Sequence, residues 1–169
     1  MLPRPAPQLR GTDPDREKVL RQFAPALLLK GAPEKGALLV STLCLPCHYV
    51  QGHGQRVGPD LSSLASKTPE MLLTDILDPG RQVAPDYQTY EVELPDGERL
   101  TGLISSETET RLTLRFAGSP DVSVAKVKNL KWRATGKSLM PDGLESGLSH
   151  QDAADILAFL KQPNGDWLK

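Results

Sequence analysis

Cysteine is nearly absent: 169 residues hold two, Cys44 and Cys47, and both lie in one pentapeptide. A disulfide framework between distant parts of the chain is therefore excluded. Charge of one sign is also lacking, with a formal net charge of -1. Phosphate neutralisation needs a basic face, so nucleic acid is not expected as a partner. No apolar run approaches the length of a membrane-spanning helix. The opening Met1-Leu2-Pro3-Arg4-Pro5-Ala6-Pro7-Gln8 has no apolar core of a secretory signal, and Ala26-Leu27-Leu28-Leu29 comes too late and is too short. Proline, by contrast, is plentiful at 15 residues, which predicts a loop-rich protein. The length suits one domain or two small ones and can bury a core without covalent staples.

Helical signals come first. Asp13 and Pro14 begin a helix predicted to reach Leu29, with Val19, Phe23 and Leu27 on one face. Pro25 is expected to kink it or end it early. Pro33 opens a second helix to about Leu43. Val50 to Ser66 reads mostly as loop. Thr68 caps a third helix that Asp78-Pro79-Gly80 stops. From Tyr87 the apolar period changes to two, in about five short strands separated by turns. Tyr90, Val92 and Leu94 mark the first strand, and Leu100, Gly102 and Ile104 the second. Leu112, Leu114 and Phe116 mark the third, Val122 and Val124 the fourth, and Val127, Leu130 and Trp132 the fifth. Such a meander either closes into a small barrel or curls as a twisted sheet. Loop resumes at Thr135. Ser149 with Asp152 forms a capping box for a last helix bearing Ala153, Ile156, Leu157 and Leu160.

The chemistry lies in Cys44-Leu45-Pro46-Cys47-His48. In this pattern two thiols, spaced to match the vinyl groups of one porphyrin, form thioethers, and the adjacent histidine becomes the proximal ligand of the iron. A thioredoxin-like pair would instead sit in a βαβ pattern, and none surrounds Cys44. A structural zinc site wants four ligands, and no second pair accompanies Cys44, Cys47, His48 and His53. The second axial ligand is assigned to Met140, in a loop and held extended by Pro141. Its plain alternative is a loop methionine filling a gap. Met71 is read as core packing, His53 as confined to the proximal side, and His150 as an ordinary exposed residue of a helix start. The carbonyl of Pro59, in Gly58-Pro59-Asp60-Leu61, is the expected acceptor for the free ring N–H of His48, against the alternative of a simple turn.

These residues resemble those of class I c-type cytochromes. The resemblance rests on Gly36 in the helix before Cys44-x-x-Cys47-His48, on Gly58-Pro59-Asp60-Leu61, on Met140-Pro141 and on a final helix with Phe159. More narrowly, the chain resembles the haem-binding domain of the Pirellula/Verrucomicrobium type. Further matches are Ile76-Leu77-Asp78-Pro79, Asp96-Gly97, Thr101-Gly102, Ser138-Leu139-Met140-Pro141 and Asp155-Ile156-Leu157-Ala158-Phe159-Leu160, so that about Gln22 to Lys161 is covered. Val40 stands where class I cytochromes often carry an aromatic, which implies looser packing of Gly36 against Phe159.

The resemblance implies an α+β chain: a cytochrome c-like helical haem domain, residues 13–86 and 135–169, with a small antiparallel sheet or barrel, residues 87–134, inserted between the third helix and the axial-methionine loop. Residues 1–12 are expected to be a proline-rich linker within a longer exported chain, because covalent haem attachment takes place outside the cytoplasm. The implied cofactor is one haem c. The implied function is single-electron transfer in the periplasm from a fused or associated dehydrogenase, not catalysis by the domain itself. The competing readings are a five-coordinate haem enzyme or sensor with an open distal position, and an interaction module that merely holds haem. The strand-rich insert either walls the haem or docks a partner.

Overall fold

The computed structural model describes residues 8–9, 11–163 and 165. The expected linker therefore lies largely outside the described residues. Gln8–Leu9 form a short strand, β1. Helix α1 runs Pro14–Phe23, with the Asp13 side chain accepting from the N–H groups of Asp15 and Arg16. The single helix predicted to Leu29 is two elements: Ala24–Leu28 is a 3₁₀ turn with Pro25 in its first positions. Pro25 supplies no N–H to continue the α-helical ladder, so the chain tightens instead. Helix α2 is Pro33–Leu43, α3 is Pro69–Leu77 and α4 is His150–Lys161. Thr68 caps α3, and Ser149 with Asp152 forms the reciprocal capping box of α4.

Two buried clusters organise the chain. The helical one contains Phe23, Ala37, Val40, Leu61, Leu72, Leu77, Ile156 and Phe159, among others. At its centre α2 crosses α4 at backbone contact. A Cβ on Gly36 would lie 2.0 Å from the Asp155 carbonyl oxygen and 2.9 Å from Cβ of Phe159. Only glycine fits such an approach. Asp155, 2% exposed, accepts from the N–H of Ala32 at 2.8 Å. The start of α2, which has no side-chain cap of its own, is thus tied to the middle of α4.

The second cluster lies on one face of a five-stranded antiparallel sheet: Val92, Leu112, Leu114, Val124 and Leu130, with Leu100, Ile104, Phe116 and Trp132 around them. Its strands are β5 (Gln88–Glu93), β6 (Arg99–Glu107), β7 (Arg111–Phe116), β8 (Ser119–Ala125) and β9 (Lys131–Ser138). The spatial order is β8-β7-β6-β5-β9. The first four strands form the expected meander, and the fifth returns to the first instead of extending the row. The edge strands β8 and β9 do not pair, so the sheet is not a closed barrel. Val127, expected in the last strand, precedes it and is exposed, whereas Leu130 turns inward from the same loop.

The opposite face carries the ion pairs Arg133–Glu91 and Arg115–Asp121, with Leu103 buried beside Arg115. Gln82–Val83, β4, pairs with β1. The architecture is thus α+β, with the sheet lying between α3 and Met140 in the chain.

The crossing predicts a steep cost for crowding. Gly36→Ala should lose about 3 kcal/mol of stability, because the facing atom is backbone and cannot rotate aside. Gly147→Ala, where an added Cβ meets nothing within 4 Å, should change stability little. Chemical denaturation of both variants measures the difference.

Candidate functional site

The last turn of α2 delivers the pentapeptide. The N–H of Cys44 still bonds the carbonyl of Val40 at 2.9 Å. Cys47 and His48 then donate their N–H groups to the Cys44 carbonyl at 3.0 and 2.8 Å. Both thiols are partly buried and unbonded to each other. The segment after His48, read as loop, first makes a tight hairpin of β2 (Tyr49–Val50) and β3 (His53–Gly54). Gln51 and Gly52 form its turn with φ of 50° and 88°. Both values belong to the left-handed region that two-residue hairpins require. The chain then doubles back, and the N–H groups of Val57 and Gly58 donate to the Cys47 carbonyl at 3.0 and 2.7 Å.

That return places Gly58-Pro59 against the imidazole. Nδ1 of His48 lies 2.8 Å from the Pro59 carbonyl oxygen. A carbonyl can only accept, so Nδ1 carries the proton and Nε2 of the neutral ring keeps its lone pair. A Cβ on Gly58 would lie 2.5 Å from Cε1 of His48. The glycine is therefore part of the ring's seat, a packing role that its place in a Gly-Pro-Asp-Leu string does not disclose.

Burial holds the imidazole neutral by lowering its pKa, against the opposing hydrogen bond to Pro59. The same cause pushes the Cys44 thiol up to about 11, with the neighbouring Cys47 adding to it, and burial also raises Cys47. Both sulfurs are protonated thiols at neutral pH. A disulfide-exchange pair needs the reverse, a thiol lowered towards ambient pH.

Met140 lies two residues beyond the end of β9. Thr89, 3% exposed, donates its hydroxyl to the Lys137 carbonyl at 3.0 Å, and Thr135 Oγ1 donates to the Thr89 carbonyl at 3.2 Å. Gln88 and Ser138 are register partners across a bulge. The Met140 N–H then donates to Ser138 Oγ at 3.1 Å, and Met140 is half-buried. The two threonines that hold this strand end were not identifiable as site residues from the sequence.

The other candidates fall elsewhere. Met71, read as core, is 51% exposed, because α3 turns Leu72, Leu73 and Leu77 inward instead. His53 is exposed on the hairpin. His150 is not simply exposed, since its ring meets Phe23 edge-on with centroids 5.3 Å apart. Among the described residues no three His, Cys, Asp or Glu side chains converge as a metal-ligating group, which a closed zinc site would require.

A cleft of about 350 Å³ separates the returning loop from the Arg115 face of the sheet, lined by Tyr49, Arg56, Gly58, Leu103, Ser105 and Arg115, among others. The Arg56 guanidinium stacks on Tyr49, 3.5 Å from the ring centre.

No protein-family model matches this chain. No curated protein matches it either.

Alkylation of the chain should be slow at neutral pH and accelerate as pH rises towards about 11 at Cys44. Mass spectrometry of the modified residues tests this. A Cys44 rate that is already flat between about pH 7 and 9, as a pre-formed thiolate gives, contradicts the burial account.

Proposed function

We propose that this chain is a cytochrome c-like domain that carries one covalently attached haem c and transfers single electrons. The observation that carries the reading is the seat of His48. Its Nδ1 is committed to the Pro59 carbonyl at 2.8 Å, beside two unbonded thiols on the same turn. A ligating histidine is normally held by its other nitrogen in this way, which fixes the tautomer and the ring plane.

Cys44 and Cys47 would form the thioethers, His48 Nε2 would be the proximal ligand, and Met140 Sδ the distal one. The bound haem would supply a one-electron iron couple. The chain's own residues have three tasks. The thiols, kept protonated by burial, stay out of disulfide exchange until they are used. Pro59 and Gly58 orient the imidazole, while burial keeps it neutral. Ser138 and the Thr89–Thr135 contacts position the loop that offers a thioether, a soft ligand that favours the reduced metal. No proton-transferring side chain is needed for electron transfer through the edge of a cofactor.

The wider setting is part of the proposal. Residues 13–86 and 135–169 would form the haem domain and residues 87–134 its insert, with residues 1–12 a linker. Covalent attachment places the chain in the periplasm or another extracytoplasmic space. The electron donor would be a dehydrogenase, fused or associated, and the acceptor a second redox protein.

Co-expression with a cytochrome maturation system and export to the periplasm tests the reading. The expected product is red, keeps its haem through a denaturing gel, and shows a low-spin ferric spectrum with a methionine-to-iron charge-transfer band. Replacing both cysteines by alanine should abolish retention on the gel. Met140→Ala should abolish the charge-transfer band, open the iron to cyanide or carbon monoxide and lower the midpoint potential. A colourless product sinks the proposal. A spectrum indifferent to Met140→Ala favours the open-site sensor or enzyme.

A further inference from the structure

The Arg115 face of the sheet reaches the loop that seats His48. On β7, Arg115 is gripped by Asp121 of β8 through two contacts: Nε to Oδ1 at 3.2 Å and Nη2 to Oδ2 at 3.1 Å. Ser105 of β6 donates to the same carboxylate at 3.0 Å. Three adjacent strands thus fix one planar guanidinium. The paired geometry pre-organises it, as a lysine in its place would not be. Its remaining arm, Nη1, donates to the carbonyl of Arg56 at 3.1 Å. Arg56 begins the stretch whose next members, Val57 and Gly58, bond the Cys47 carbonyl. Gly58 and Pro59 in turn pack on and accept from the His48 ring. The chain of contacts runs from Asp121 through Arg115, the Arg56 carbonyl and the 56–59 backbone to the imidazole.

We propose that Arg115, held in place by Asp121, is a positioning residue that clamps the 56–59 loop from the sheet and so fixes the orientation of His48. This rests on the haem reading only where the iron is used as a reporter. The clamp itself belongs to the haem-free chain as well. It also gives the sheet a purpose beyond covering: at the end of the sheet where β9 leads out to Met140, Arg115 holds the histidine loop.

Two measurements test it, and they separate the clamp from the haem reading. In the haem-free chain, amide hydrogen exchange at Val57 and Gly58 should quicken roughly tenfold in Arg115→Ala and Asp121→Asn, as expected for loss of a hydrogen bond from a charged donor. Arg111→Ala is the control. Arg111 makes comparable contacts to Ser123 on the same two strands, and its loss should leave both amides unchanged. Wild-type exchange in the first two variants, or equal quickening in the control, overturns the clamp.

In the haem-loaded protein, a looser Nδ1–H···O bond makes His48 a weaker donor and raises the midpoint potential. Arg115→Ala and Asp121→Asn should therefore shift the potential upward together. A bare charge effect moves them in opposite directions, since one variant removes a positive and the other a negative charge. Opposite shifts, or none, overturn the positioning role. A chain that takes up no haem defeats the haem reading, and the exchange measurement still decides the clamp.

Discussion

Gly36 sets the distance between α2 and α4, and most of the helical half follows from that distance. The helices touch backbone to backbone, so neither can slide or turn without collision. Asp155 adds a buried hydrogen bond at the same crossing, replacing the cap that α2 lacks. With α2 immobilised along its length, its last turn is a fixed platform, and Cys44, Cys47 and His48 stand on it. Val40, one turn further along α2, is fully covered. The contact with Phe159 is therefore closed by backbone proximity and not by stacked aromatics.

The His48 seat depends on chain reversal more than on side-chain chemistry. A tight hairpin turns the backbone around, and two amides of the returning strand bond the carbonyl of Cys47. Pro59 then has nowhere to point its carbonyl except at the ring. Glycine, proline and main-chain hydrogen bonds do most of the positioning, which suits a site where a side-chain acid or base would compete for the imidazole proton. Burial acts on all three titrating groups of the pentapeptide in one direction, towards the uncharged form.

Much of this was legible from residue order. Caps at Asp13, Thr68 and Ser149 announce their helices because each is a local event. The first three strands are legible because their apolar residues alternate, whereas Val127 and Leu130 fall before the fifth, and the Pro59 contact is legible because a fixed carbonyl close in sequence has few other partners. Long-range choices were not legible. Nothing local says that β9 returns to β5, since strand order depends on which edge is free when the last strand arrives. The hairpin after His48 has only two residues in each strand, too few for a period. Met71 misled because its helix offers more apolar residues than the core accepts. Nothing in the sequence distinguishes Arg115 and Asp121, and only the sheet pairs them and brings Arg115 to the Arg56 carbonyl.

Gln88 and Ser138 sit opposite each other in one antiparallel pair, so the whole sheet enters and leaves the helical body through a single doorway about 5 Å wide. A segment with adjoining ends can grow, shrink or be exchanged as a cassette while the helices on either side keep their places. Variation in the outer turns, at Pro95-Asp96-Gly97 or Ala117-Gly118, leaves that doorway untouched. Tolerance to lengthening should therefore end sharply at the threonines that form its frame.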